Sequence, residues 1–219
     1  GFQTILKEVT IWPSDSSYKF VVRLDRLGVL PDNMVRIPSQ ITNMMIVGLE
    51  QYSGKKVGEF LADRFEVTNK EYKRFVDSSG YSNRDFWHYP IYLNGRELQW
   101  SEEARLFIDK TGRPGPSTWE VGTFPDGAED YPVAGISWYE ASAFAEFKHK
   151  KLPTVYQWSI MADTWVAKNI LPLSNFNGIS TVSVGKMEGI SSVGLYDIAG
   201  NVREWCRNEG NTPDQHYIL

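Results

Sequence analysis

The 219-residue chain carries 27 acidic and 23 basic side chains, a net charge of −4 and 42% hydrophobic residues, ample for one sizeable core or a core with an appendage. It has no run of Lys or Arg fit to track nucleic acid and no apolar stretch near the roughly twenty residues of a membrane span. His88, His149 and His216 are too scattered for a zinc site, and the single cysteine excludes an internal disulfide.

Residues 1–33 read as a β-rich linker or the end of an upstream module. Glu8–Trp12 and Tyr18–Leu24 are runs of strand formers split by the turn cluster Pro13-Ser-Asp-Ser-Ser17, and Leu30-Pro-Asp-Asn33 reads as linker. Met34–Pro38 and Met44–Gly48 are predicted as short strands. Thr68 with Glu71 is a capping-box pair and starts a helix whose face carries Tyr72, Phe75 and Val76, with Gly80 as its stop. A further helix is expected over Ser101–Asp109, closed near Gly112. Ser137 with Glu140 repeats the capping box ahead of Ala141, Phe144, Ala145 and an outward Lys148; Thr154 with Gln157 starts a shorter helix after Pro153. Stretches 80–100, 111–136 and 166–194 are left irregular. Loops of that length suit a fold held together by ions or aromatic packing.

The densest chemistry lies in Gly194-Leu-Tyr-Asp-Ile-Ala-Gly-Asn-Val-Arg-Glu-Trp-Cys206. Asp197 and Glu204 offer hard oxygens, and the glycines allow a tight turn whose carbonyls converge. The stretch reads either as a small calcium-holding loop or as a turn in which Asp197 accepts backbone N–H bonds and Glu204 pairs with an Arg. Cys206, the only thiol, follows Trp205 in an apolar context with no His nearby in sequence, which favours a structural thiol over a nucleophile. Arg113-Pro-Gly-Pro116 reads as a rigid turn rather than a phosphate loop, since its prolines remove donors. Asp126, Glu129 and Asp130 read as a solvated acidic loop. Trp87, Trp100, Trp119, Trp138, Trp158 and Trp205 read mostly as core rather than as a carbohydrate or peptide cleft.

Taken in order, Glu66-Val-Thr-Asn69 with Tyr72 and Phe75, Gly80-Tyr81 with Trp87, Tyr131-Pro-Val133, Ile136–Ala141, Lys151-Leu-Pro-Thr154 with Trp158, Ser174-Asn-Phe176, Val184-Gly185 and Gly194–Cys206 resemble the sulfatase-modifying-factor domain of formylglycine-generating enzymes. The resemblance covers about 34–219 and implies an α+β, loop-rich variant of the C-type lectin fold. Thr111–Pro116 and Leu152–Val155 look most like bacterial copies fused behind serine/threonine kinase domains, and residues 1–33 are similar to the joining segment there. By resemblance, calcium is held by the side chains of Asp197 and Glu204 and the carbonyls of Gly200 and Val202. A second family calcium site keeps its Asn175-Phe176 pair but not the acidic loop that completes it, which is missing before Val184.

Catalytic members of the family oxidise a substrate cysteine with molecular oxygen, using a cysteine pair and bound copper. That pair lies downstream of the Glu-Trp motif, beyond a strand that the sequence ending at Leu219 does not reach, and Cys206 matches neither position. Lys151 stands for the usual Arg, and Val155-Tyr-Gln157 for an acidic triplet. The resemblance therefore implies a domain lacking its C-terminal strands and without catalytic residues. It would be a ligand-binding or sensor domain of a larger bacterial protein, with a kinase domain in the same polypeptide and a protein or small molecule as ligand. The alternative is a truncated formylglycine-generating oxidase, with copper only if a cysteine pair follows.

Overall fold

Among the described residues, backbone hydrogen bonds run through many turns and caps, and the strand ladders are short. The computed structural model describes the chain outside residues 8, 10, 12–16, 18, 20, 46–47, 94, 104, 165–166, 177, 210–215 and 219, and residues 216–218 by backbone alone. The described residues form two units, one of Gly1–Glu66, Tyr156–Ile179 and Gly185–Asn201, the other of Val67–Val155, Ser180–Val184 and Val202–Leu219.

In the first unit, β1 (Met34–Ile37) pairs antiparallel with β4 (Phe60–Asp63), Met34 opposite Asp63 and Ile37 opposite Phe60. β2 (Gln40–Ile41) pairs likewise with β3 (Lys56–Val57). Buried Ile37 joins Ile160, Met161, Leu195 and Ile198 in one apolar cluster. The predicted strand Met44–Gly48 is not formed at 44, 45 and 48, and residues 46–47 lie outside the described residues. Hydroxyls capture the backbone there instead: Thr42 Oγ1 donates to the Tyr52 carbonyl and Ser53 Oγ accepts the Met44 N–H. Met44 is buried as a loop anchor. Of the two N-terminal runs, residues 8, 10, 12, 18 and 20 lie outside the described residues. Val21–Leu24 are in no strand, their side chains exposed with no apolar face to rest on. Among the described residues of this segment, Phe2 and Arg26 form an isolated bridge.

The second unit is organised by α1 (Asn69–Asp77) and α3 (Trp138–Phe147). Both capping boxes form: Thr68 and Glu71 exchange bonds of 3.2 Å, and Ser137 and Glu140 bonds of 3.3 and 2.7 Å. Both helices also close with paired bonds from the two residues past the cap. These run Ser79→Val76 and Gly80→Phe75 after α1, and His149→Glu146 and Lys150→Ala145 after α3. The left-handed positions are Ser79 (φ 61) and His149 (φ 53), not Gly80. Gly80 is needed for space, since a Cβ there would sit 2.2 Å from the Phe75 ring.

Between the helices, the Tyr72 and Phe144 rings stack at 5.0 Å and Phe75 meets Phe144 edge-on at 5.9 Å. Trp87, Trp119 and Trp138 are buried, as the core reading expects. α4 (Val155–Ala162) follows Thr154 as predicted, β5 (Tyr92–Leu93) and β6 (Arg96–Glu97) form a short hairpin, and β7 (Trp205–Glu209) pairs with β8 (His216–Ile218).

The helix predicted over Ser101–Asp109 is formed only as α2 (Trp100–Glu103). Asp109 ends the pattern. Its buried carboxylate accepts N–H bonds from Thr111, Arg113 and Gly122 at 2.7, 3.0 and 2.6 Å, plus the Thr111 hydroxyl at 2.8 Å, and Ile108 bridges to Pro114. Burial alone would raise its pKa, but these donors outweigh it and hold it at about 2. Pinned over this loop, Val121 adopts φ 54, a costly conformation for a β-branched residue. Its N–H is held by Thr111 Oγ1 at 2.9 Å and its carbonyl by Arg113 Nη1 at 3.2 Å.

A buried polar chain runs through the second unit: Tyr72 and Tyr81 hydroxyls lie 3.0 Å apart, and Tyr81 donates to Glu140 at 2.6 Å. Burial raises the pKa of Glu140, opposed by the Ser137 N–H and the Tyr81 hydroxyl. A carboxyl raised in the folded state adds stability at acid pH that is lost as pH rises through its folded pKa. Glu140→Gln keeps an acceptor for the Ser137 N–H and removes the charge, its amide N–H₂ turning toward the Tyr81 hydroxyl, which then accepts instead of donating. The stability difference between wild type and Glu140→Gln, read from urea midpoints, should therefore move in favour of wild type as pH falls from neutral into the carboxylate range. A pH-independent difference would refute this.

Candidate functional site

The Gly194–Cys206 loop is built on left-handed backbone. Gly194 (φ 91), Asp197 (φ 56), Gly200 (φ 86) and Asn201 (φ 57) turn the chain four times within eight residues. Glycine and Asx residues are the ones that take this conformation cheaply. The entry is clamped: Ser191 N–H donates to the Leu195 carbonyl at 2.8 Å, its hydroxyl accepts the Leu195 N–H at 3.1 Å, and Tyr196 N–H donates to the Arg64 carbonyl at 3.0 Å. Tyr196 stacks on Phe65 at 5.3 Å.

Asp197 and Gly200 stand in this part of the loop, in the first unit; Val202 and Glu204 belong to the second. Asp197 is 3% exposed and accepts the Gly185 N–H at 2.5 Å, the role foreseen by the turn reading. Burial raises its pKa against that single N–H bond. Gly200 lies against the Asn175 carbonyl, where a Cβ would approach to 2.8 Å. Among the described residues no three His, Cys, Asp or Glu side chains cluster as metal ligands.

Sequence reasoning missed the residue that ties this loop down. Asn201 donates through Nδ2 to buried Glu66 at 2.7 Å, accepts from Asn175 Nδ2 at 3.1 Å, and sends its N–H to the Asn175 carbonyl at 3.1 Å. One amide thus joins Glu66 and Asn175, the latter being the residue read as the remnant of a second ion site. The Gly-Asn pair was the available signal, because Asn after Gly at a turn favours left-handed backbone.

Beyond Val202 and Glu204, both half-buried, the second unit anchors the strand through its indoles. Trp205 Nε1 donates to the Ile136 carbonyl at 3.1 Å and Trp138 Nε1 to the Cys206 carbonyl at 2.9 Å. Val155 N–H donates to Asn208 Oδ1 at 2.9 Å. Cys206 is 0% exposed and unbridged, and burial, then the Glu204 charge, pushes its thiol well above the usual range. It is a packing thiol. Asp126, Glu129 and Asp130 are exposed, as the solvated-loop reading expects. No helix among the described residues is long and apolar enough to cross a membrane.

Residues 32–215 match the model of the sulfatase-modifying factor enzyme 1-like domain. The chain is 31% identical over 157 residues to the serine/threonine-protein kinase pkn1 of Chlamydia pneumoniae, covering 68% of this chain and 22% of that protein. It is 25% identical over 198 residues to the inactive C-alpha-formylglycine-generating enzyme 2 of Bos taurus, covering 73% and 63%. To the formylglycine-generating enzyme of Thermomonospora curvata it is 24% identical over 185 residues, covering 69% and 60%. The chain thus spans less than a quarter of the kinase's length and less than two thirds of the other two. Among solved structures, CarF superposes with a TM-score of 0.51 at 16% identity, over 84% of this chain and 82% of that one. The fold is the irregular C-type-lectin-like one of this family, with short strands and long loops.

Replacing Asn201 separates its two roles. Asn201→Gly keeps the left-handed backbone but removes the amide from Glu66, while Asn201→Ala removes both. Thermal midpoints should fall in the order wild type, Gly, Ala, with Gly and Ala separated by about 1 kcal/mol of strain. Equal midpoints for Gly and Ala would show that backbone strain plays no part.

Proposed function

The chain belongs to the sulfatase-modifying-factor family, and from that premise we propose that it is a non-catalytic ligand-binding or sensor domain of a larger bacterial protein, of the kind carried by serine/threonine kinases. The observation that carries this reading is the likeness to a kinase and to a relative described as inactive. Cys206 adds no catalytic thiol of its own, because a nucleophile needs a reachable thiolate and this one is fully buried with its pKa raised. The ligand is a protein or a small molecule, and a kinase domain in the same polypeptide is the partner.

A second reading, a formylglycine-generating oxidase, is favoured by the relatives bearing that activity in their names. One assay separates the two: the full-length protein that carries this domain is incubated with a cysteine peptide, copper and oxygen. No thiol-to-aldehyde mass change is expected. Copper-dependent conversion would overturn the non-catalytic reading.

We also assign to Asp197, Gly200, Val202 and Glu204 a structural calcium ion, on the family resemblance. Two carboxylates and two backbone carbonyls are a hard-oxygen set suited to that cation. The buried Asp197 carboxylate has a raised pKa and the Gly185 N–H as donor, so a cation would offset the burial cost that it carries. Calcium binding only the folded state raises the unfolding midpoint by mass action. Calcium should raise the thermal midpoint and EDTA lower it, and Asp197→Asn should abolish the difference. Identical wild-type midpoints in calcium and EDTA would remove the ion from the proposal.

A further inference from the structure

The N-terminal segment is fastened to the first unit in an unusual way. Its arms, residues 1–7 and 21–27, close on each other through Gln3 N–H to the Asp25 carbonyl at 2.8 Å and Leu27 N–H to the Gly1 carbonyl at 3.1 Å. Asp25, 8% exposed, receives Nε and Nη2 of Arg36 on β1 at 3.0 and 3.1 Å. The same guanidinium reaches Glu59 through Nη1 at 2.5 Å, and Glu59 takes Arg23 at 3.3 Å. Charges therefore alternate from segment to sheet and back.

On the other arm, the Leu6 carbonyl crosses Gly194 so closely that a Cβ there would lie 2.5 Å from it. Gly194 opens the left-handed run that carries Asp197 and Asn201. Meanwhile Phe2, Leu6, Val21, Leu24, Leu27 and Val29 remain exposed. The attachments described above are ionic and backbone contacts, and these large apolar side chains are not buried beneath the segment. The more exposed ion pairs, those of Glu59 with Arg23 and Arg36, are weak and sensitive to salt.

We infer that the two arms form a releasable strap: the Arg36 clamp seats Leu6 over Gly194, and withdrawing the strap loosens the Gly194–Asn201 loop. The coupling is reciprocal, so a loop stiffened by its ligand holds the strap more tightly. The sensor reading enters only in naming what pulls on the strap, namely a module joined through residues 1–33.

The test needs no kinase. Hydrogen–deuterium exchange is followed on the whole 219-residue chain, wild type against Asp25→Asn with Glu59→Gln. Exchange in residues 1–7 should rise by about tenfold or more, the equivalent of a lost charge-assisted hydrogen bond. Exchange in 191–201 should rise with it, while α1 and α3 keep their protection. A rise confined to 1–7, or no rise in either segment, overturns the strap. If the variant loses protection throughout, wild type in high salt decides, because screening weakens the exposed Glu59 end of the clamp without altering a residue. The paired rise in 1–7 and 191–201 supports the inference there, and its absence ends it. Either result leaves the assignment of the domain as non-catalytic untouched.

Discussion

A loop without a neighbouring strand must find another partner for its backbone N–H groups, and here buried side-chain oxygens fill that place. Strands are no longer than five residues among those described, so ladders satisfy only a small part of the backbone. Asp109 gathers the N–H groups of three residues of one loop. Asp197 takes that of Gly185, and Glu71 and Glu140 reach back to the residues capping their own helices. An unmet buried N–H costs roughly 1–3 kcal/mol, so each of these oxygens is a condition for its loop to be buried at all. The pKa directions follow from burial, which raises all three, set against the donors that oppose it. Four bonds hold Asp109 low against burial, whereas Asp197 and Glu140, with fewer, are carried upward.

Rings solve the complementary problem of filling space between elements of irregular shape. Trp119 shows both tasks in one residue. Its ring meets Tyr72 and Phe124 edge-on, while its indole N–H donates to Asn69 Oδ1 at 3.0 Å. Asn69 in turn sends its amide to the Ala128 carbonyl at 2.9 Å. A helix N-terminus, a loop and a core ring are thereby fixed by one side chain in the first turn of α1.

Legibility tracked the distance in sequence over which a feature is encoded. The capping boxes at Thr68 and Ser137 lie within four residues, and both helices stand where that signal puts them. The Ser101–Asp109 pattern failed because helix propensity is also local but weaker than the Asx loop that Asp109 builds with residues up to Gly122. Met44–Gly48 failed likewise to the hydroxyls of Thr42 and Ser53. The bond from Asn201 to Glu66 spans 135 residues, and no spacing rule announces it. Gly80 was noticed for the right reason of helix ending but the wrong property, being required for its missing Cβ and not for its torsion. The family itself was readable because it rests on an ordered succession of short motifs, each local, which the matched span 32–215 bears out.

The single thiol also senses motion in its surroundings. Cys206 is sealed, with Trp138 bonded to its own carbonyl, and its thiolate form is suppressed. Alkylating reagents reach such a sulfur only when the surrounding packing opens. The second unit thus holds an internal clock. The rate at which Cys206 becomes chemically visible reports how often the packing around β7 comes apart, one molecule at a time.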